Sequence, residues 1–258
     1  MERILVLSPH PDDAPLSLGG WIHQRTQSGD QVTILTAMSA DPALPLPSSP
    51  IIAELHARWA AGQQPSEARR AEDSAAARVV GAEIAFLSIT DCIYRTESHG
   101  NALYQSEASL FSVPHPDDPA LPVPATLRDL VSAADVLIAP LTVGGHVDHR
   151  IVQAWALELW HSGVVKDLRF FTDYPYAENV EALNSALERI ALPLQPDVIA
   201  LTEFDVRAKI NAIACYHSQI STFWSSVNAM ETTICSYLTG GGQHDPSETL
   251  WHPMRSTA

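Results

Sequence analysis

Short apolar runs recur along the chain, spaced so that a helix fits between most neighbours. They are "ILVL" (4–7), "VTIL" (32–35), "IAFLSI" (84–89), "DVLIAP" (135–140), "LRFF" (168–171) and "DVIAL" (197–201). Several lack the strict alternation of a half-exposed strand, the pattern of strands covered on both faces. Helical stretches lie between them. Residues 15–29 end on Gly29, suited to the left-handed turn after a helix. Residues 66–81 open on the capping candidate Ser66 and stop at Gly81, and 148–163 stop at Gly163. Strands alternating with helices predict an α/β chain, a Rossmann-like three-layer sandwich with a mostly parallel sheet. No repeat or linker divides residues 1–258, so a single domain is expected. Two stretches interrupt the rhythm, "ADPALPLPSSP" (40–50) and "SVPHPDDPALPVPA" (112–125). Both read as long loops, either surface insertions or walls of a binding site.

Composition narrows the function classes. The chain is 258 residues long, 46% hydrophobic and 17% charged, enough for a sizeable core. A net charge of -15 argues against nucleic acid and against an anionic membrane surface as partners. The three cysteines, Cys92, Cys215 and Cys235, form no C-x-x-C pair and read as core thiols of a reducing compartment. No run approaches the roughly 18 apolar residues of a membrane span. A cytoplasmic protein with a small-molecule substrate is expected, with homo-oligomerisation open.

The chemistry concentrates in two places. "PHPDD" occurs at 9–13 and again at 114–118. The first copy follows a strand and precedes a helix, where ligands of open α/β sheets bind. The second sits among prolines and reads as a polar surface turn. "GGHVDHR" (144–150) also follows a strand and opens a helix. It can therefore bring His146, Asp148 and His149 to the rim that carries His10, Asp12 and Asp13. Three nitrogen and oxygen ligands plus an open position is the pattern of a catalytic zinc. Asp12 and Asp148 also suit helix caps, and Arg69 also suits a solvated helix face. His23, His56 and His161 read as surface residues, and Trp155, Trp160 and Trp224 as core. His217 and Gln219 fit a polar turn or a pocket wall. No G-x-G-x-x-G follows the first strand, which disfavours a dinucleotide enzyme.

"SPHPDDAPLSLGG" together with "GGHVDH" resembles the PIG-L/LmbE-like deacetylase family. "RRAEDSAAARVVGAEIAFLSITD" and "KINAIACYHSQIS" extend the resemblance over roughly residues 3–221. It implies an LmbE-like fold and a zinc-dependent hydrolase that removes the acetyl group of an N-acetylated amino sugar. By the same resemblance His10, Asp13 and His149 bind Zn2+ or another divalent ion, and Asp12 is the general base. His146 stabilises the oxyanion or protonates the leaving amine, Asp148 orients a histidine, and Arg69 and Asp91 touch substrate. The family commonly has Glu after the two aspartates, whereas this chain has Ala14. Gly144 and Gly145, with no side chain before His146, suggest a more open pocket mouth. The competing expectations are an amidase of the same family acting on a larger acyl or thiol conjugate, and a catalytically inactive metal- or carbohydrate-binding protein.

Overall fold

The computed structural model describes residues 1–59 and 65–254. In chain order its elements are β1 (Arg3–Ser8), α1 (Asp13–Gln27), β2 (Gln31–Met38), α2 (Pro50–Trp59), α3 (Pro65–Val79) and β3 (Glu83–Ile89). Then come α4 (Glu107–Leu110), α5 (Ala125–Ser132), β4 (Val136–Pro140), α6 (Val147–His161), β5 (Asp167–Phe171) and α7 (Val180–Arg189). The chain ends with β6 (Leu194–Ala200), α8 (Glu203–Ile213), α9 (His217–Phe223), α10 (Val227–Leu238) and β7 (Ser247–Pro253). The strands form one sheet in the order β3-β2-β1-β4-β5-β7-β6. The first five pair in parallel, and β7 runs antiparallel to both β5 and β6.

The uninterrupted apolar runs follow from cover on both faces. Leu5 and Leu7 of β1 join Leu137 and Ala139 of β4 on one face, under Val131 of α5 and Ile151 and Trp155 of α6. Ile4 and Val6 face the other way, with Ile34 and Ile138, under Leu18 and Ile22 of α1, Ala76 of α3 and Ala212 of α8. The predicted α/β sandwich is therefore present. The sequence pattern did not reveal β7, whose "SETLWHP" alternates in burial and mixes Glu, His and Pro with two apolar residues. β6 starts earlier than the run at 197–201, and its edge position leaves Val198 exposed. No described helix is long and apolar enough to cross a membrane.

α1 is not one regular helix. It breaks at Leu18 (φ -129°, ψ 15°), and a break frees backbone groups that need new partners. Glu248 of β7 accepts the freed amides of Gly20 (3.2 Å) and Trp21 (2.7 Å). Lys209 of α8 donates to the Leu16 carbonyl (2.6 Å) and to Glu248 (2.7 Å). A Cβ on Gly19 would lie 3.0 Å from Lys209 Cγ, and one on Gly20 2.6 Å from Leu201 Cδ1. The paired glycines thus let α8 and the end of β6 close on α1.

Several side chains differ from the sequence expectation. Trp155 is buried, but Trp160 and Trp224 only flank the core. His161 is exposed, whereas His23 is held 2.8 Å from Asp205 and His56 lies 2.5 Å from the Tyr94 hydroxyl. The three cysteines are unpaired, but only Cys92 is fully buried.

Candidate metal centre

β1 stops at Ser8 and α1 starts at Asp13, so the first PHPDD forms the turn between them at the strand's carboxyl end. Ser8 Oγ donates to the His10 carbonyl (2.7 Å) and accepts the Ala14 amide (3.1 Å). The His10 amide donates to Asp13 Oδ2 (2.8 Å). Between these fixed points Asp12 takes φ 114°, a conformation strained for any residue with a Cβ and found most often at functional sites. Its side chain caps nothing and faces Arg69 Nη2 at 3.4 Å. The same guanidinium donates to the Pro11 carbonyl (2.9 Å), so Arg69 is buried rather than solvated.

The second motif lies on the same rim. His146 precedes α6 as its cap, and its Nδ1 accepts the Asp148 amide (3.3 Å). That bond leaves the hydrogen on Nε2. Burial, and then His10, lower the His146 pKa well below its usual value, so the ring is a neutral donor. Asp148 does not cap the helix. Its Oδ2 lies 3.0 Å from His10 Nε2 and accepts the Cys92 amide (3.1 Å), while Oδ1 is held by Arg95. Gly144 and Gly145 take φ 83° and 81°. A Cβ on Gly144 would lie 2.8 Å from Tyr176 Cδ1. The space that the glycines leave is taken by Tyr176 at Gly144 and by Arg150 Nη2 at Gly145, so they do not themselves widen the mouth of the cleft.

Two imidazoles are each backed by a carboxylate. His10 Nε2 faces Asp148, and His149 Nδ1 faces Asp173 at 2.7 Å. If those nitrogens carry the hydrogens, the lone pairs sit on His10 Nδ1 and His149 Nε2. Both point to one atom, Asp13 Oδ2, at 3.4 Å and 3.3 Å. A tetrahedral zinc with bonds of about 2.1 Å sets neighbouring ligand atoms about 3.4 Å apart, and both of these histidine–Asp13 distances match that spacing. The ring centroids of His10 and His149 are 5.4 Å apart. His10, His146 and His149 also form a group with ligand atoms within 4.8 Å of one another, but the hydrogen on His146 Nε2 sets that ring apart as a donor.

The electrostatics favour a cation. Burial alone would depress both imidazoles, yet Asp13, Asp148 and Asp91 raise His10 well above its usual value. Asp13 and Asp173 do the same for His149, raising it to about 9. Burial would raise Asp13, but His149 and His10 hold it well below the carboxylate range. Asp12 goes the other way: burial pushes it up to about 7, against Arg69 and with Asp13. Two adjacent carboxylates in one turn are thus set apart.

An open cleft of about 310 Å³ leads to these groups, at the lower end of small-molecule sites. Asp91, Arg69 and Gln219 line it near the histidines. Ile51, Leu55, Phe111, Tyr176 and Phe223 add apolar wall. All six residues singled out in the two motifs, with Arg69 and Asp91, meet at the cleft or directly behind it. The sequence reading missed Asp173, although it follows β5 by two residues on this same rim. The second PHPDD is the surface turn the sequence suggests, except at its last residue. His115 and Asp117 are at or near the surface, but Asp118 is buried, because Arg95 Nε (3.0 Å), the Tyr104 hydroxyl (2.7 Å) and the Ala120 amide (2.9 Å) satisfy its charge.

His and Asp side chains gathered on the carboxyl rim of an α/β sandwich could hold a metal ion. The chain belongs to the PIG-L family, whose profile, described as GlcNAc-PI de-N-acetylase, matches residues 5–160. It is 30% identical to a 2'-N-acetylparomamine deacetylase of Streptomyces fradiae over 84% of this chain and 73% of that protein. A second 2'-N-acetylparomamine deacetylase, of Niallia circulans, is 28% identical over 68% of each. Among solved structures, the zinc-inhibited form of the teicoplanin deacetylase Orf2 superposes with a TM-score of 0.80 at 25% identity, covering 99% of both chains. The chain is thus an amide hydrolase of the N-deacetylase type.

Proposed function

We propose that the protein is a zinc-dependent N-deacetylase acting on an N-acetylated amino sugar carried on a larger molecule, with His10, Asp13 and His149 as the ligands. One observation carries the reading: two carboxylate-backed imidazoles bring their second ring nitrogens to 3.4 Å and 3.3 Å from a single carboxylate oxygen at the base of the cleft. Zinc at that point would acidify water and polarise the acyl carbonyl. The substrates of the relatives, N-acetylparomamine and teicoplanin, support the substrate class. The three free cysteines support a cytoplasmic location.

The remaining steps belong to side chains. Arg69 and Asp91 flank the cleft and orient the sugar. Asp12 accepts a proton from the water that adds to the acyl carbon, a task for which its raised pKa suits it. His146 donates Nε2–H to the oxyanion, an interaction worth about 3–4 kcal/mol for one well-placed donor. Asp12 then returns the proton to the nitrogen as the C–N bond breaks, leaving acetic acid and a free amine, which at neutral pH separate as acetate and an ammonium. Ala14 is buried in the core with Leu18 and Ile22, so the Glu common at that place has no counterpart here, and the proton transfer is assigned to Asp12. Replacing Asp12 with Asn tests the assignment: acetate release from an N-acetylglucosaminide should fall at least 100-fold with zinc binding retained. A parent-like rate refutes the general-base role.

A further inference from the structure

The second PHPDD contributes nothing to the cleft directly, yet its last residue is locked three contacts away from a proposed zinc ligand. Asp118 and Asp148 lie on either side of one buried guanidinium. Arg95 Nη2 bonds Asp148 Oδ1, and Arg95 Nε lies 3.0 Å from Asp118 Oδ1. That second contact is an ion pair rather than a directed hydrogen bond, since the N–H points off the line. Arg95 is fixed on its other sides by the Thr90 carbonyl (3.1 Å) and by the Tyr104 ring, 5.8 Å below the guanidinium carbon. Asp118 is fixed in turn by the Tyr104 hydroxyl (2.7 Å), which itself accepts the His115 amide (2.9 Å). Asp148 then meets His10 Nε2 at 3.0 Å. Side-chain exposures of 0% for both carboxylates and 2% for Arg95 exclude solvent from the whole line.

We propose that Arg95 and Asp118 are positioning residues for the metal centre: the second PHPDD clamps Arg95, Arg95 orients Asp148, and Asp148 turns His10 so that Nδ1 faces Asp13. The proposal rests on the reading of His10 as a zinc ligand. Its physical basis is that carboxylates behind a ligating histidine set its tautomer and angle, and losing such a partner weakens metal binding about 10–100-fold. An Arg95 freed from Asp118 gains the room to pull Asp148 off the His10 ring. The exposed part of the same pentapeptide has no such role, and Asp117, with a side chain 72% exposed, serves as the internal control.

The test is a competition titration of metal-free protein with zinc against a chromophoric chelator, with melting temperature and kinetics on the same samples. Asp118→Asn and Arg95→Lys should weaken zinc binding by about 10-fold or more. They should lower kcat at subsaturating zinc and leave the KM for sugar substrate within about twofold. Asp117→Asn should match the parent. A merely structural role would lower the melting temperature and leave the zinc affinity of the folded protein unchanged, and that result overturns the proposal. Tyr104→Phe removes one bond to Asp118 and the acceptor of the His115 amide while keeping the ring, and so gives a second variant should Asp118→Asn not fold. It should weaken zinc binding by about threefold, a small fraction of the full effect, and parent-like affinity there also counts against the proposal. His10→Ala separates the two readings. If His10→Ala loses zinc while Asp118→Asn and Arg95→Lys keep it, only the positioning claim fails. If all three keep it, the ligand assignment fails as well.

Discussion

Asp173 offers a sharp test of how the centre is held, because its two oxygens serve two different donors. Oδ2 accepts the Val143 amide at 2.9 Å and Oδ1 faces His149 Nδ1 at 2.7 Å. Asp173→Asn keeps the shape and leaves one acceptor. If the amide oxygen stays on Val143, the NH2 group meets His149 Nδ1, and the ring must shift its hydrogen to Nε2, the atom that faces Asp13. A histidine without its lone pair on that side is a poor ligand, and the expected loss in zinc affinity is about 10–100-fold, or about 1.4–2.7 kcal/mol. If instead the oxygen turns to His149, the NH2 group opposes the buried Val143 amide, and the protein loses about 1–3 kcal/mol of stability. The variant must therefore show one loss or the other. A chelator competition titration reads the first, and urea unfolding of metal-free protein reads the second. Zinc affinity within twofold of the parent, together with unchanged stability, would refute the reasoning.

Three other substitutions probe separate parts of the molecule. Lys209→Met strands Glu248 in the core at the α1 break, and should cost about 3–5 kcal/mol in urea unfolding; a cost under 1 kcal/mol would mean that the break is held by other contacts. Asp73 is fully buried under hydrogen bonds from Thr36 and Tyr216, and burial raises its pKa to about 6. With its folded pKa above the unfolded value, the stability it contributes is present below about pH 4 and is lost as pH rises through 6. Asp73→Asn should therefore gain on the parent between these limits, by up to about 3 kcal/mol at 1.36 kcal/mol per unit; a difference independent of pH would contradict the assignment. Phe111 stands edge-on to His146 and Tyr176, with centroids 5.4 and 6.0 Å away. Phe111→Ala should raise KM about three- to tenfold through lost stacking, with kcat and zinc affinity unchanged; a fall in kcat alone would assign it another role.

The legibility of the sequence followed how local each signal was. Strands covered on both faces declare themselves as apolar runs, so β1, β2, β4 and β5 could be read, while β7, with its alternating burial, could not. The first PHPDD and GGHVDHR were readable as one site because each follows a strand of a parallel sheet and is delivered to the same rim. The second PHPDD is identical in sequence, and its difference lies in Arg95 and Tyr104, residues 23 and 14 positions upstream of Asp118 in the chain. Nothing in the pentapeptide announces such partners. Asp173 stands alone after its strand, with no motif around it, and only the 2.7 Å contact with His149 assigns it a task. The glycines before His146 pointed to open space because a sequence does not show that Tyr176 and Arg150 fill it.

The central claim is metal-dependent removal of an acetyl group, and the most direct measurement is acetate and free-amine release from an N-acetylglucosaminide by metal-stripped protein, before and after one equivalent of zinc. The account predicts no release before addition, release of the two products in equal amounts after it, and no recovery with His10→Ala or His149→Ala. Undiminished release by the stripped protein, or recovery in either histidine variant, would contradict it.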